Sequence, residues 1–124
     1  MLAPLPASSA PKPKRREKLD LAPIQPLLDS IQASWSPTQI WLFGSRARGT
    51  ATPQSDWDLL VVVSDELAPS LEADPRVVWR LQRQARVRSD VIPCGQSDFE
   101  SASEVPNLLA YEAKQHGVLI YERA

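Results

Sequence analysis

The sequence predicts an α/β (α+β) fold in which helices pack against a small mixed β-sheet. Short apolar runs typical of buried strands alternate with segments whose apolar residues recur at helical spacing, in the order α-β-turn-β-α-β-α-β. The sequence contains no internal repeat, and its 124 residues are enough for one domain at most. We therefore expect a single ordered domain over residues 22–124.

Residues 1–20 are predicted to be a disordered extension, because Pro, Ala, Ser and basic residues dominate there and no apolar face can form. This segment contains five of the 14 basic residues and two of the 15 acidic residues. Residues 21–124 therefore contain nine basic and thirteen acidic residues. A mildly acidic domain is a poor match for a large nucleic-acid footprint. The basic run from Lys12 to Lys18 could contact nucleic acid or an acidic partner, but we favour a solvated tail.

The sequence shows no feature of secreted or membrane proteins. Cys94 is the only cysteine, so no internal disulfide can form, which fits a reducing cytoplasm. No run approaches the ~20 apolar residues needed to span a bilayer. Near the N-terminus the charges follow the short apolar stretch, whereas in a signal peptide they precede it. We therefore expect a cytoplasmic protein without membrane contact.

The first half of the domain is predicted to contain one helix and two strands. The helix is predicted to begin near Pro23 and to end at Ser36. It ends there because Ser36 precedes Pro37, and helical backbone is disfavoured for the residue before a proline. A short buried strand follows at 39–43. A second strand is predicted at 56–63, and its last five residues are all apolar, as in a strand covered on both faces. The helix stripe has spacing i, i+3, i+4, i+7 and consists of Ile24, Leu27, Leu28 and Ile31.

The second half is predicted to add two helical segments and two strands. Residues 67–86 are mostly helical, and Asp74-Pro75 marks a helix start because proline is favoured at the first helical position. A third strand is expected at 86–93, a last helix at 105–116 and a final strand at 118–121. The apolar stripes of the two helices are formed by Val78, Leu81 and Ala85, and by Leu108, Leu109 and Ala113.

The turn after the first strand has the composition of a phosphate-binding turn. Gly44 and Ser45 follow the strand directly, and a glycine lets the backbone approach a phosphate closely because no Cβ intervenes. The backbone N–H groups at the start of a helix favour an anion. Ser45 adds a hydroxyl, and Arg46 and Arg48 add guanidinium groups suited to phosphate oxygens. Arg46 could instead lie on the surface or reach an acceptor.

Two carboxylates at the start of the second strand predict a metal site. Asp56 and Asp58 are separated by one residue, so their side chains share a strand face with Cα atoms roughly 6–7 Å apart. Carboxylates this close repel each other unless a cation lies between them. Mg²⁺ fits, because it prefers hard oxygen ligands that it shares with substrate phosphates. A phosphate cradle beside such a pair is typical of phosphoryl transfer.

The pattern Gly-Ser-x-Ala-x-Gly, a short loop and then Ser-Asp-x-Asp-Leu resembles the polymerase-beta-like nucleotidyltransferase superfamily. It is most similar to the minimal (MNT) branch, and also resembles the kanamycin nucleotidyltransferases in this region. The resemblance covers roughly residues 22–124 and implies the nucleotidyltransferase fold. The matching residues are Gly44, Ser45, Ala47, Arg48, Gly49, Ser55, Asp56, Asp58 and Leu59.

The resemblance also implies the roles of individual residues. Ser55 joins the nucleotide-binding set, and a third carboxylate is expected on a later strand beside the first two. Asp90 occupies the corresponding position, where it would complete a site for two Mg²⁺ ions and help to activate the acceptor hydroxyl. The alternative is an Asp on an edge strand that faces water.

The resemblance further implies the reaction and the partner. Many members carry a second helical domain that binds the acceptor, and this sequence shows none, so a second copy or another protein would complete the cleft. Members of the minimal branch are commonly paired with small helical HEPN-family toxins. The implied activity is transfer of AMP from ATP to a tyrosine of that toxin, which makes this chain the antitoxin. Two alternatives remain: an antitoxin that acts by steric binding alone, and a nucleotidyltransferase that modifies a small molecule or an RNA end.

Four other side chains received structural predictions. Trp57 lies between the two carboxylates and should point to the opposite sheet face, into the core. Trp79 falls outside the apolar stripe of its helix and is predicted to mark a contact surface. His116, at a helix end, is expected to compensate the helix dipole. Cys94 has no Cys or His nearby in sequence, so we expect neither a metal-binding nor a nucleophilic role.

Overall fold

The fold was examined in a computed structural model, which describes residues 19–123; nearly all of the predicted extension lies outside them. A 3₁₀ turn at Ala22–Ile24 leads into the first helix. The elements that follow are α1 (Gln25–Trp35), β1 (Gln39–Phe43), α2 (Ser45–Arg48), β2 (Trp57–Val63), α3 (Ala68–Ala73), α4 (Pro75–Ala85), β3 (Ser89–Gly95), α5 (Gln96–Ala102), α6 (Leu109–His116) and β4 (Val118–Glu122).

The four strands form one mixed sheet in the order β3-β2-β1-β4. β1 pairs antiparallel with both β2 and β4, whereas β2 and β3 are parallel. A parallel pair needs a crossover connection, and α3 and α4 provide it between β2 and β3. The predicted α/β fold with a mixed sheet is therefore confirmed, and β3 and β4 are its edge strands.

Apolar side chains cover both faces of the sheet. On one face, the predicted stripe of α1 is buried together with Leu81 of α4 and alternate residues of β2. On the other, α5 and α6 pack over Trp41, Leu60 and Val62, and the rings of Trp41 and Phe99 stack with centroids 5.9 Å apart. Full burial of such a side chain stabilises the fold by roughly 1.5–3 kcal/mol relative to exposure. β2 is the central apolar element, because both layers contact it.

Two predicted boundaries were wrong because of local backbone geometry. The third strand, predicted at 86–93, begins only at Ser89: Arg86 ends α4 in the left-handed conformation, with φ 56°. The last helix, predicted at 105–116, begins at Leu109, since the preceding turn contains a proline and Asn107 with φ 77°. Leu109 and its neighbour Leu108 consequently remain largely exposed, and the buried face of α6 is formed by Ala110 and Ala113.

The predicted helix start at Asp74-Pro75 is confirmed, whereas one observed helix was not expected from the sequence. The helical segment at 67–86 is divided at Asp74, whose side chain accepts a hydrogen bond from the Arg76 N–H and so caps α4. Helix α5 was not predicted, because Phe99 is its only large apolar residue and gives no stripe. Within residues 19–123, no helix combines the length and the apolar character needed to cross a membrane.

Candidate active site

The turn between β1 and β2 is built around two glycines with positive φ. Gly44 has φ 76° and ψ −159°, a conformation essentially restricted to glycine, and Gly49 has φ 81°. Between them α2 makes one helical turn, in which the Arg48 N–H donates to the Gly44 carbonyl and the Gly49 N–H to the Ser45 carbonyl. The N–H groups at the start of such a turn have no carbonyl partner within it. Buried Ala47 fixes the turn to the core.

Arg46 holds the loop that leads to the carboxylates. Its Nη2 donates to the Ser55 carbonyl oxygen at 2.9 Å, and its guanidinium lies 4.5 Å from the ring centroid of Trp57. The Ser55 hydroxyl oxygen accepts from the Thr52 N–H at 2.9 Å. Both Arg46 and Ser55 therefore stabilise the loop. That they also contact a nucleotide stays a prediction.

Asp58 lies directly against the glycine turn that was predicted to bind phosphate. A Cβ at position 44 would overlap the Asp58 carboxylate oxygen Oδ2, so only glycine leaves room for this side chain. Asp58 faces Phe43 across the β1–β2 pair and Asp90 across the β2–β3 pair. Trp57 points the other way, into the core, and is 5% exposed, as predicted. The alternation of β2 thus presents Asp58 to the glycine turn and to Asp90 at once.

Negative charge is concentrated around Asp58. Burial raises the pKa of its carboxyl group above the ordinary value, the neighbouring Asp90 and Asp56 raise it further, and Arg48 opposes them. Asp90 itself is exposed, at the edge of the sheet. The carboxylates are close enough to repel one another, so a cation among them would be stabilised.

Asp56 has a partner that the sequence analysis missed. Its Oδ1 accepts from Arg88 Nε at 3.1 Å, and both side chains are largely exposed to solvent. The backbone brings the two together, because the Trp57 N–H donates to the Arg88 carbonyl oxygen. No local signal could have revealed the pair, since its partners lie 32 positions apart and meet only through the β2–β3 register.

The carboxylates in residues 19–123 are not arranged as in a complete metal centre. Within residues 19–123, no three His, Cys, Asp or Glu side chains converge as they must to hold a metal ion. Asp58 and Asp90 adjoin on neighbouring strands, while Asp56 is turned towards Arg88. The donor set nevertheless suits a hard cation, because carboxylate oxygens are the ligands that Mg²⁺ prefers. The pKa of Asp58 is raised mainly by burial and, to a smaller extent, by the carboxylates of Asp90 and Asp56.

Among the tryptophan, cysteine and histidine side chains, Trp79 lines the same surface depression as Asp90. Burial raises the pKa of the Cys94 thiol to about 11, which keeps it protonated and fits the expectation that it is not a nucleophile. Trp35 and Trp41 are buried, whereas Trp79 is 54% exposed. His116 lies in the last turn of α6, ahead of Gly117.

Comparison with known proteins gives consistent matches. Residues 24–119 match the family model described as a nucleotidyltransferase domain. A search of curated proteins returned no match. A Sulfolobus solfataricus protein described as a candidate nucleotidyltransferase shares the fold at 20% identity, with 90% of this chain and 87% of that chain covered and a TM-score of 0.59. A chain from a toxin–antitoxin crystal structure with AMP-PNP is 25% identical, with 78% and 72% covered and a TM-score of 0.53.

Proposed function

The chain belongs to the nucleotidyltransferase domain family, and from that premise we propose that it transfers AMP from ATP to an acceptor hydroxyl in a Mg²⁺-dependent reaction. The observation that carries the proposal is the placement of Asp58, packed against the Gly44 turn on one side and next to Asp90 on the other. Phosphate-binding groups and metal-binding carboxylates must adjoin for such chemistry, and the packing of Asp58 against Gly44, with no room for a Cβ between them, supports the proposal.

The turn supplies the groups that would hold the triphosphate. Backbone N–H groups at the start of α2 and the Ser45 hydroxyl can donate to phosphate oxygens. Arg48 is close enough to Asp58 to lower its pKa, so its guanidinium can lie beside the same phosphates. Arg46 and Ser55 contribute by fixing the loop between the turn and β2. A contact of Ser55 or Arg46 with the nucleotide belongs to the proposal as well.

Asp56, Asp58 and Asp90 are the residues that would hold Mg²⁺. When bound, the ions neutralise the carboxylates and stabilise the attacking and leaving oxygens of an in-line displacement. Asp56 would have to leave Arg88 to join the set, an exchange that is easy because an exposed ion pair is worth only about 0–1 kcal/mol.

The proposed transfer forms one bond to phosphorus, breaks another and moves one proton. The acceptor oxygen forms a bond to the α-phosphorus of ATP, the bond from that phosphorus to the bridging oxygen breaks, and pyrophosphate leaves. Asp90, which is exposed on the edge strand β3, accepts the hydroxyl proton. The turn and Asp58 keep the phosphate in line for this step.

The proposed acceptor is a tyrosine of a small helical HEPN-family toxin, which makes the chain the antitoxin of the pair. The sequence resemblance implies the HEPN family and the tyrosine, and the 25% identical chain from the toxin–antitoxin structure with AMP-PNP, an ATP analogue, supports a toxin as the partner. An antitoxin that only covers its toxin would not need the closely packed Asp58 and Asp90, so we favour the catalytic role over steric binding.

The test is co-expression with the protein encoded by the neighbouring gene. Intact mass with Mg²⁺ and ATP should show that this protein gains one or more AMP units, and fragmentation should map them to tyrosine. Asp56→Asn, Asp58→Asn and Asp90→Asn should each reduce the rate at least about 100-fold. Asp29→Asn is the matched control, because Asp29 is an exposed residue of α1, which packs on the sheet face opposite Asp58. If the partner is neutralised without any gain of mass, the role is steric; if the chain modifies a free small molecule or RNA instead, the proposed acceptor is wrong.

A further inference from the structure

An arginine cluster stands out against the acidic remainder of the chain. The segment 75–89 contains five of the nine basic residues found in residues 21–124, and it contains no acidic residue. All five side chains are exposed. The residues of this cluster are Arg76, Arg80, Arg83, Arg86 and Arg88.

The cluster borders a groove along the free edge of β3. Two adjoining depressions of about 380 and 500 Å³ lie between α4 and this strand, and the side chains of Trp79 and Gln82 line both. The first is mainly apolar and includes Val78 and Pro93, and Asp90 forms part of its wall. The second is lined by Arg83, Arg86 and Arg88. We call the two together the β3-edge groove.

The groove cannot be filled by an added β-strand. The Val91 N–H, which points away from β2, already donates to Gln82 Oε1 at 2.8 Å, and Pro93 has no N–H to offer. Trp79, in contrast, is 54% exposed, with the guanidinium of Arg83 4.9 Å from its ring centroid. An occupant must therefore bind through its side chains, and Trp and Arg are the residues that dominate protein–protein interfaces.

We propose that the β3-edge groove binds an acidic, amphipathic segment of the acceptor protein. Its apolar side chains would lie against Trp79 in the apolar depression, and its carboxylates would face Arg83, Arg86 and Arg88. The inference rests on the proposed function, because Asp90 in the groove wall would then lie beside the hydroxyl that the segment carries. The positive charge of the arginine cluster is complementary to the negative charge of such a segment.

A protein segment fits this groove better than nucleic acid does. Glu72 and Asp90 line the apolar depression, so a phosphate backbone that follows the groove would meet two carboxylates. The wall of Val78, Pro75 and Pro93 offers aliphatic contacts, whereas nucleic-acid channels combine basic grooves with aromatic stacking surfaces. The lone exposed Trp79 already has Arg83 over its ring.

The test uses a pair of identical charge reversals on one helix. Arg83→Glu changes a residue of the groove, whereas Arg80→Glu changes an exposed residue of α4 that lines neither depression. Affinity for the purified neighbour-encoded protein would be measured by calorimetry, and thermal melts would check the fold. We expect Arg83→Glu and Trp79→Ala to weaken binding at least tenfold, and Arg80→Glu to stay within twofold of wild type. Equal affinities for Arg83→Glu and Arg80→Glu, or the absence of any complex with the wild-type chain, overturn the inference.

Two further readouts separate this inference from the proposed function. If groove variants bind the partner like wild type while AMP transfer proceeds, the groove is not the docking site and the transferase role stands. If they lose binding but the wild-type complex never gains AMP, docking stands and transfer fails. A fluorescein-labelled 12-nucleotide single-stranded RNA is the third probe: if it binds with the same dependence on Trp79 and Arg83, the occupant is nucleic acid and the proposal is wrong.

Discussion

Trp57 and Asp58 are consecutive residues at the start of β2, and the sheet places them in opposite environments. Trp57 is 5% exposed within the apolar layer formed with α1 and α4. Asp58, on the other face, meets the carboxylate of Asp90 and the backbone of Gly44. At this end of β2 the side of Trp57, which we call the buried face, supplies stability. The side of Asp58, which we call the charged face, concentrates like charge that disfavours the folded state, although further along the strand its residues Leu60 and Val62 are buried under α5 and α6.

The two faces are nevertheless connected. Arg46 stacks on Trp57 and bonds to the Ser55 carbonyl oxygen, so the buried face holds the loop that delivers Asp56 and Asp58. A small domain is only marginally stable, and the strain of a charged site has to be offset by the core. Substitutions of Trp57 and of Asp58 should therefore have opposite consequences for stability and for activity.

The largest expected effect is on the buried face. Trp57→Ala should lower the free energy of unfolding by about 3–5 kcal/mol, because it leaves a cavity in the core and removes the surface under Arg46. Trp79→Ala removes the same side chain from an exposed position and should stay within about 0.5 kcal/mol of wild type. Urea unfolding measures both. Similar losses for the two tryptophans would contradict the difference between the faces.

The next test compares Gly44, which contacts Asp58, with Gly49 of the same turn. Gly44→Ala should destabilise by about 2–3 kcal/mol, because its backbone conformation excludes a Cβ and that Cβ would displace Asp58. In Gly49→Ala the added Cβ would have no atom within 4 Å. The cost should therefore be limited to about 1 kcal/mol for the left-handed backbone conformation. AMP transfer should be lost in the first variant alone. Equal effects in unfolding and transfer would show that the Gly44–Asp58 contact is unimportant.

The smallest effect is a gain of stability from Asp58→Asn. The pKa of Asp58 is raised in the folded chain, so its contribution to stability is fully present below the ordinary value of 3.8 and is lost as pH rises through the raised pKa. At neutral pH the variant should therefore be more stable than wild type by roughly 0.5 kcal/mol, a small figure because the group is partly exposed. The difference should vanish below the ordinary pKa.

Thermal melts from pH 3 to pH 8 would check this, with Asp29→Asn as the control. A wild-type chain that is more stable than Asp58→Asn at neutral pH, without metal or nucleotide, would show that Asp58 makes a favourable contact and is not repelled by its neighbours.

The sequence predicted the charged face better than its surroundings. Gly44, Asp56 and Asp58 lie within 15 consecutive residues, so their closeness in sequence suggested a shared site, and strand alternation predicted that Trp57 and Asp58 point to opposite faces. Asp90 could be expected beside them only through the family resemblance, and the parallel register supplies that pairing. The Asp56–Arg88 pair depends on the same register and left no local signal.

Elements without strong apolar periodicity were the ones missed. Helix α5 is polar apart from Phe99, and the buried face of α6 is formed by small alanines while its leucines lie outside. The groove beside Trp79 depends on how α4 packs against the edge of β3, which a hydrophobic pattern cannot specify. An exposed tryptophan outside the stripe was the one hint that it existed.

The most direct test of the account is whether Mg²⁺ and ATP stabilise the protein together. Thermal melts of the wild-type chain would be recorded with ATP, with Mg²⁺ and with both. We expect the pair to raise Tm by more than the sum of the single additions, because metal and triphosphate complete one site, and we expect Asp58→Asn to abolish the excess. A shift that is merely additive, or one that persists in Asp58→Asn, would contradict the proposal that the charged face of β2 binds a metal–nucleotide complex.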